Sequence, residues 1–162
     1  MQLLPADLII VRGTSPFDRV IEDVEHSPYS HVVGYVGGGL VIQAEGCKPT
    51  GYAPLAFFAG QPVFRCALLT DGQRRQIVDW VTDRIGSHYD YRLLLWEWLR
   101  YVLHVMLPWC VERRKYICST LWADAYRTAG IDPCPGIRFP SPADLAESLL
   151  LVQVGTVTKN ST

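Results

Sequence analysis

Cys118 is the residue of this chain whose type and position best suit nucleophilic chemistry. It begins a run in which Leu121, Trp122 and Ala125 recur at helical spacing. At the start of a helix, unpaired backbone N–H groups and the positive end of the dipole favour a thiolate. The same N–H groups can hold an oxyanion once a carbonyl carbon is attacked. We therefore take Cys118 as the candidate nucleophile; a buried structural cysteine is the alternative reading of this position.

The other four of the five cysteines have structural explanations. Cys66 lies within a strand pattern, where a buried cysteine behaves as a small hydrophobic residue. The remaining three lie in predicted loops with no helix start to lower the thiol pKa: Cys47, Cys110 and Cys134. No CxxC pair and no closely spaced pair of histidines occurs, and the odd count argues against a disulfide framework. The sequence predicts no metal site and no cofactor.

A thiolate catalyst usually needs a base, and His31 is the most informative of the four histidines. It begins the first of two apolar runs, 31–36 and 40–44, which Gly37-Gly38-Gly39 separates. This pattern predicts a β-hairpin. A three-residue loop sets three pairs of facing residues: Val36 with Leu40, Tyr35 with Val41 and, by counting outward, His31 with Glu45.

The predicted pairing brings an imidazole and a carboxylate together. Directly opposed residues have Cβ atoms ~5 Å apart, close enough for a hydrogen bond between His31 and Glu45. A two-residue loop would spoil this pairing, so the prediction depends on the turn. A surface His–Glu pair without a catalytic role is the alternative interpretation.

Short strand and helix patterns surround these residues. Strand patterns cover residues 8–11, 63–68 and 150–157, and helix patterns cover 17–24, 71–85 and 117–130. Asp71 is the predicted N-cap of the second helix, and Gly86 its end. Ser141 as N-cap and Pro142 at the first helical position predict a last short helix. Residues 54–60 are predicted to be a loop. With no repeat or linker, we expect one α+β domain over residues 1–162.

Composition and charge narrow the function classes. Hydrophobic residues make up 49% and charged residues 19% of the 162, as in a folded domain. The net charge of −1 does not favour a nucleic-acid partner. The first residues show no signal-peptide pattern, so we expect a cytoplasmic protein, with a phage particle as the other setting. Oligomeric state is not predicted.

The most hydrophobic stretch is the apolar segment, residues 93–109. It has 17 residues and carries Glu97, Arg100 and His104, which makes it too short and too charged for a transmembrane helix. A buried helix or a pocket lid is one interpretation. Contact with a lipid-like substrate or a membrane surface is the other.

Together with their flanking residues, the Cys and His motifs resemble a known family. The sequence is similar to the circularly permuted NlpC-type hydrolases, the YiiX/YebB-like branch of the papain-like superfamily. Six segments, in the order of that family, carry the resemblance: Ala6-Asp7-Leu8-Ile9-Ile10, Tyr29-Ser30-His31-Val32-Val33-Gly34-Tyr35-Val36, Val41-Ile42-Gln43-Ala44-Glu45, Tyr89-Asp90-Tyr91, Tyr116-Ile117-Cys118-Ser119 and Pro140-Ser141-Pro142-Ala143-Asp144-Leu145.

The resemblance implies a permuted papain-like α+β fold, with a small antiparallel sheet packed against helices. It implies Cys118 as nucleophile, His31 as base and Glu45 as the group that orients the base. It also suggests that the Tyr89 hydroxyl lies near the oxyanion. The apolar segment is more aromatic than is usual between the matching motifs, and this leaves the substrate class open.

Two classes of function follow from the resemblance. One is a cysteine hydrolase or acyltransferase that cleaves an amide, ester or thioester bond through an acyl-enzyme. Its substrates would be peptidoglycan peptides, as for NlpC-type relatives, or lipid acyl groups, as for relatives like lecithin retinol acyltransferase. The alternative is a catalytically idle binding or structural module, such as a phage particle component, that keeps the fold.

Overall fold

The computed structural model describes the following residues: 2–13, 28–44, 49–89, 115–116 and 118–158. Residues 88–89 and 115–116 are described by their backbone alone. The predicted helix over residues 17–24 and the apolar segment both lie outside these ranges. No helix of the described residues is long and apolar enough to cross a membrane.

The described strands form one larger antiparallel sheet and one short parallel pair. The larger sheet has six strands: β1 (Leu8–Arg12), β2 (Tyr29–Gly37), β3 (Leu40–Gln43), β4 (Gly51–Pro54), β5 (Pro62–Arg65) and β8 (Val152–Thr156). Their order across the sheet is β4-β3-β2-β1-β5-β8. The short pair consists of β6 (His88–Tyr89) and β7 (Lys115–Tyr116).

The described α-helices are α1 (Asp71–Thr82), α2 (Cys118–Thr128) and α3 (Pro142–Ala146), and a 3₁₀ turn covers Leu55–Phe58. Side chains of α1 and α2 enter the same buried cluster as alternate residues of the central strands. Its members include Leu8, Ile10, Val32, Ile42, Ile77, Val81, Leu121, Trp122 and Ala125. The intervening strand residues, including Ile9, Val33, Val41 and Val63, form a second cluster on the other face of the sheet. This alternation follows from the two-residue period of a strand.

The predicted hairpin is present, with the predicted register away from the turn and a different pairing beside it. Tyr35 faces Val41, as predicted. The predicted pairing of Val36 with Leu40 is wrong: Leu40 faces Gly37, and the register shifts between Tyr35 and Gly37. A two-residue turn therefore replaces the three-residue loop, and the bulge at residue 36 adds back the residue that the turn omits.

Glycine is required at this turn by backbone conformation. Gly38 and Gly39, the two turn residues, both have positive φ angles of 61° and 72°. Positive φ at both central positions is the hallmark of the tight hairpin turns whose twist matches the flanking strands. The three-glycine run thus indicated the hairpin correctly but not the length of its turn.

Most other predicted elements occur with shifted ends. The strand pattern over 63–68 is a strand only to Arg65, and the helix pattern over 71–85 is a helix only to Thr82. Asp71 is not the N-cap of α1: Thr70 takes that role, because its extended backbone lets its hydroxyl accept from the Gln73 N–H. The predicted loop at 54–60 contains a 3₁₀ turn. The preceding strand, β4, was not predicted.

A buried ion cluster anchors the chain just before β1. The Asp7 carboxylate is fully buried and accepts hydrogen bonds from Arg65 and Arg74. These arginines also bind backbone carbonyl groups of the N-terminal turn. The Tyr126 hydroxyl of α2 donates to the Ala6 carbonyl at 2.6 Å. The N-terminal turn thereby joins β5, α1 and α2.

Candidate functional site

Cys118 lies at the N-terminal end of α2, where the helix meets β2. Its side chain is 5% exposed. The thiol hydrogen-bonds with the His31 side chain and accepts from the backbone N–H groups of Val32 and Ser119. The structure therefore brings together the predicted nucleophile and the predicted base, which are 87 positions apart in sequence.

These contacts lower the pKa of the Cys118 thiol below its ordinary value. Burial is the largest single influence and acts in the opposite direction, because it disfavours the charged thiolate. The charge of His31, its hydrogen bond and the two backbone N–H groups together outweigh burial. The site thus favours a thiolate although it is almost closed to solvent.

The pairing of β2 with β3 stops short of Val32, so α2 can contact β2 there. On the side away from the turn, the pairs recorded between β2 and β3 end at Gly34 with Ile42. Val32, two residues further along β2, faces Ile10 of β1 and gives its N–H to Cys118. A backbone donor of the sheet thus contacts the Cys118 thiol.

Gln43 is a site residue that the sequence analysis missed. His31 Nε2 lies 3.1 Å from Gln43 Oε1, so the protonated Nε2 donates to the amide oxygen. We infer that Nδ1 is the ring nitrogen that faces the Cys118 thiol. In the predicted register His31 directly faces Glu45. Gln43 lies two residues before Glu45 on the same strand, so it is the diagonal neighbour of His31. Counting only directly opposed residues overlooks such neighbours.

Glu45 lies outside the described residues, and its role as the orienting group stays a prediction. Tyr89 is described by its backbone, which pairs with Tyr116 in the parallel ladder of β6 and β7. Tyr116 precedes Cys118 by two positions. The backbone of Tyr89 therefore lies beside the segment that leads into α2, and the contribution of its hydroxyl to the oxyanion stays a prediction.

Ser119, the residue after Cys118, has a fully buried side chain. Within the described part of the chain, its hydroxyl has no hydrogen-bond partner. Such a group ordinarily costs about 1–3 kcal/mol. Its backbone N–H, in contrast, contributes to the thiol site.

The other described cysteines differ from Cys118 in their surroundings. Cys66 lies in the main core cluster. Burial, together with the charges of Asp144 and Asp132, raises the pKa of Cys134 to about 12. Among the described residues, no three His, Cys, Asp or Glu side chains are grouped so that they could hold a metal ion.

The fold and the site define an α+β protein in which a cysteine at a helix start meets a histidine of an antiparallel sheet. A solved structure with this fold is the metalloprotein YiiX from Escherichia coli O157:H7, a DUF1105 protein. The match covers 98% of this chain and 99% of that one, with a TM-score of 0.74 and 17% sequence identity. The predicted YiiX-like fold is confirmed. No family model and no curated protein sequence matches the chain.

Proposed function

We propose that the chain is a cysteine hydrolase or acyltransferase with Cys118 as nucleophile and His31 as its base. The observation that carries the proposal is the environment of the Cys118 thiol, which hydrogen-bonds with His31 and two backbone N–H groups. A cysteine without a reactive role gains nothing from a lowered thiol pKa in a buried position. Cysteines of this kind are typical of nucleophilic sites.

The reaction begins with the Cys118 thiolate and protonated His31. The sulfur attacks the carbonyl carbon of an amide, ester or thioester, and backbone N–H groups at the start of α2 stabilise the oxyanion. His31 then gives its proton to the leaving amine, alcohol or thiol, and the acyl group stays on the sulfur. Water or another acceptor gives a proton to His31 and takes the acyl group, which regenerates the thiolate.

In this mechanism Gln43 keeps the imidazole in place. A hydrogen bond from Nε2 to a neutral amide fixes the ring orientation and leaves Nδ1 for the thiol. Glu45 is the other proposed orienting group, from the sequence. The permuted papain-like relationship and the Tyr89 hydroxyl belong to the same proposal.

For the substrate, we propose either peptidoglycan peptides or lipid acyl groups, and we favour the acyl class. The support is the apolar segment, whose composition suits contact with an acyl chain or the surface of a membrane. This part of the proposal is independent of the Cys118–His31 chemistry.

Covalent labelling tests the proposed function. The wild-type protein is incubated with acyl thioester, acyl ester and peptide probes that carry an electrophile, and the adduct is mapped by mass spectrometry. We expect labelling at Cys118, and we expect His31→Ala to reduce the rate by about 10²–10⁴. Cys134→Ala is the matched control and should label like wild type. A folded wild-type protein that labels at another thiol, or at none, would contradict the proposal and favour a binding module.

A further inference from the structure

A second contact between the nucleophile helix and the base strand lies deeper in the fold. Trp122, one turn after Cys118, is fully buried. A Cβ atom placed on Gly34 of β2 would lie 2.2 Å from Cζ2 and 2.3 Å from Cη2 of this indole. The ring therefore occupies the space where any other residue would carry its side chain.

The indole is also bound to the neighbouring strand. Trp122 Nε1 donates to the Ile42 carbonyl at 3.3 Å. Gly34 and Ile42 face each other across the β2–β3 ladder. The ring thus contacts both strands at one rung, the last recorded pair on the side toward His31.

The rung and the reactive pair belong to the same two elements. Cys118 and Trp122 are four residues apart on α2 and so lie on one face of the helix, about 6 Å apart along its axis. His31 precedes Gly34 by three residues on β2, about 10 Å along the strand. The helix therefore meets the strand at two places, at Gly34 through Trp122 and at His31 and Val32 through Cys118.

Glycine at position 34 is required by space rather than by backbone conformation. Gly34 is not among the glycines with positive φ angles. An added methyl group would lie 2.2 Å from the ring and would have to move away by more than about 1 Å to reach an ordinary contact distance. A packed core does not absorb such a change locally.

We propose that Gly34 and Trp122 form a spacer contact that sets the distance between His31 and Cys118. The proposal rests on the proposed function, because it concerns the geometry of the same reactive pair. Gly34 and Trp122 act as positioning residues: they do not touch the substrate, and they keep the thiol within hydrogen-bond distance of the imidazole.

The test measures the pH dependence of Cys118 alkylation by iodoacetamide, with circular dichroism as the check of folding. Gly34→Ala should separate the pair, and Trp122→Leu should remove the spacer. We expect each to raise the apparent thiol pKa by about one unit, so about ten-fold less thiolate remains at a given pH below the midpoint. In the double variant Gly34→Ala/Trp122→Leu, the alanine methyl group fills part of the space that the indole ring leaves. The apparent pKa of the Cys118 thiol should therefore return toward the wild-type value.

Gly51→Ala is the matched control, because this strand glycine would gain only an ordinary contact of 3.7 Å. Its alkylation profile should equal that of wild type. Single variants with unchanged profiles, or a double variant further from wild type than Trp122→Leu, would overturn the spacer proposal. If Gly34→Ala does not fold, the comparison of Trp122→Leu with the double variant still decides. A wild-type Cys118 with an ordinary thiol profile would instead overturn the proposed function.

Discussion

At the residue scale, the difference between Cys118 and Cys134 shows how the surroundings decide the reactivity of a thiol. Both side chains are buried, and burial alone raises a thiol pKa. Cys134 has nearby carboxylates, which raise its pKa further, whereas Cys118 has His31 and two backbone donors. The neighbouring groups, not burial, therefore give the two thiols pKa shifts of opposite direction.

This contrast gives a pH prediction with a definite sign. Because the pKa of Cys118 is lowered, its thiolate should persist to lower pH than that of an ordinary thiol and disappear only when the pH falls through the lowered value. Cys134, with a pKa of about 12, should stay unreactive. In His31→Ala, burial is no longer outweighed by the imidazole, so the Cys118 profile should move to higher pH. Alkylation rates of the two thiols, measured from about pH 5 to about pH 10 so that the ordinary thiol pKa lies within the range, check this. Equal profiles for Cys118 and Cys134 would contradict it.

A second residue-scale prediction concerns Gln43. Gln43→Ala removes the acceptor of the Nε2 proton, and we expect acylation to slow about five- to ten-fold, the equivalent of one neutral hydrogen bond. Gln43→Glu keeps an acceptor and adds a charge that favours the imidazolium form. The alkaline limb of its pH–rate profile should therefore move to higher pH.

Glu45→Ala, measured beside these variants, separates the two proposed orienting groups. If Gln43 alone holds the ring, the Glu45→Ala rate and pH profile should match wild type. A large loss in Glu45→Ala with no loss in Gln43→Ala would show that the carboxylate orients His31.

At the element scale, local patterns predicted which segments form strands and helices, and long-range contacts decided their ends and partners. The hairpin was predictable because apolar runs flank a glycine turn, and α2 because its apolar residues recur at helical spacing. β4 was not, because Gly51–Pro54 is short and ends in proline. Gln43 was not predicted because its contact with His31 is diagonal. Such a contact depends on how β2 and β3 separate beyond the pair of Gly34 with Ile42.

The Asp7 cluster is another feature that no local pattern reveals, since its arginines are 58 and 67 positions away. Asp7→Ala would leave the two guanidinium groups without their carboxylate. We expect a loss of about 3–5 kcal/mol in the free energy of unfolding, measured by urea denaturation. Asp124→Ala is the control: its ion pair with Arg127 is partly exposed and screened by solvent. That variant should lose less than about 1 kcal/mol. Equal losses would contradict a structural role for the cluster.

At the scale of the whole molecule, the described residues account for the contact between Cys118 and His31, and the proposed substrate class rests on the sequence. The fold is shared with YiiX over nearly the full length of both chains, at 17% identity. Proteins that share a fold at such low sequence identity can catalyse different reactions, so the substrate is determined by the side chains around the site. The segment with the strongest sequence signal for substrate contact is the apolar segment, and it offers its own fluorescent probes.

Trp96 and Trp98 of the apolar segment test the preference for acyl substrates. If this segment contacts acyl chains, tryptophan emission should shift when the protein meets phosphatidylcholine vesicles or fatty-acyl ligands of increasing length, because the indole leaves water. The shift should fade in Trp96→Phe/Trp98→Phe and be lost when Trp109→Phe, at the end of the same segment, is added. The emission shift should persist in Trp80→Phe, which is the control because Trp80 lies on α1 and not in the apolar segment. The Arg84 guanidinium carbon lies 3.2 Å from the centre of the Trp80 ring. A spectrum that stays constant across the chain-length series, in a protein that still labels at Cys118, would direct the search to peptide substrates.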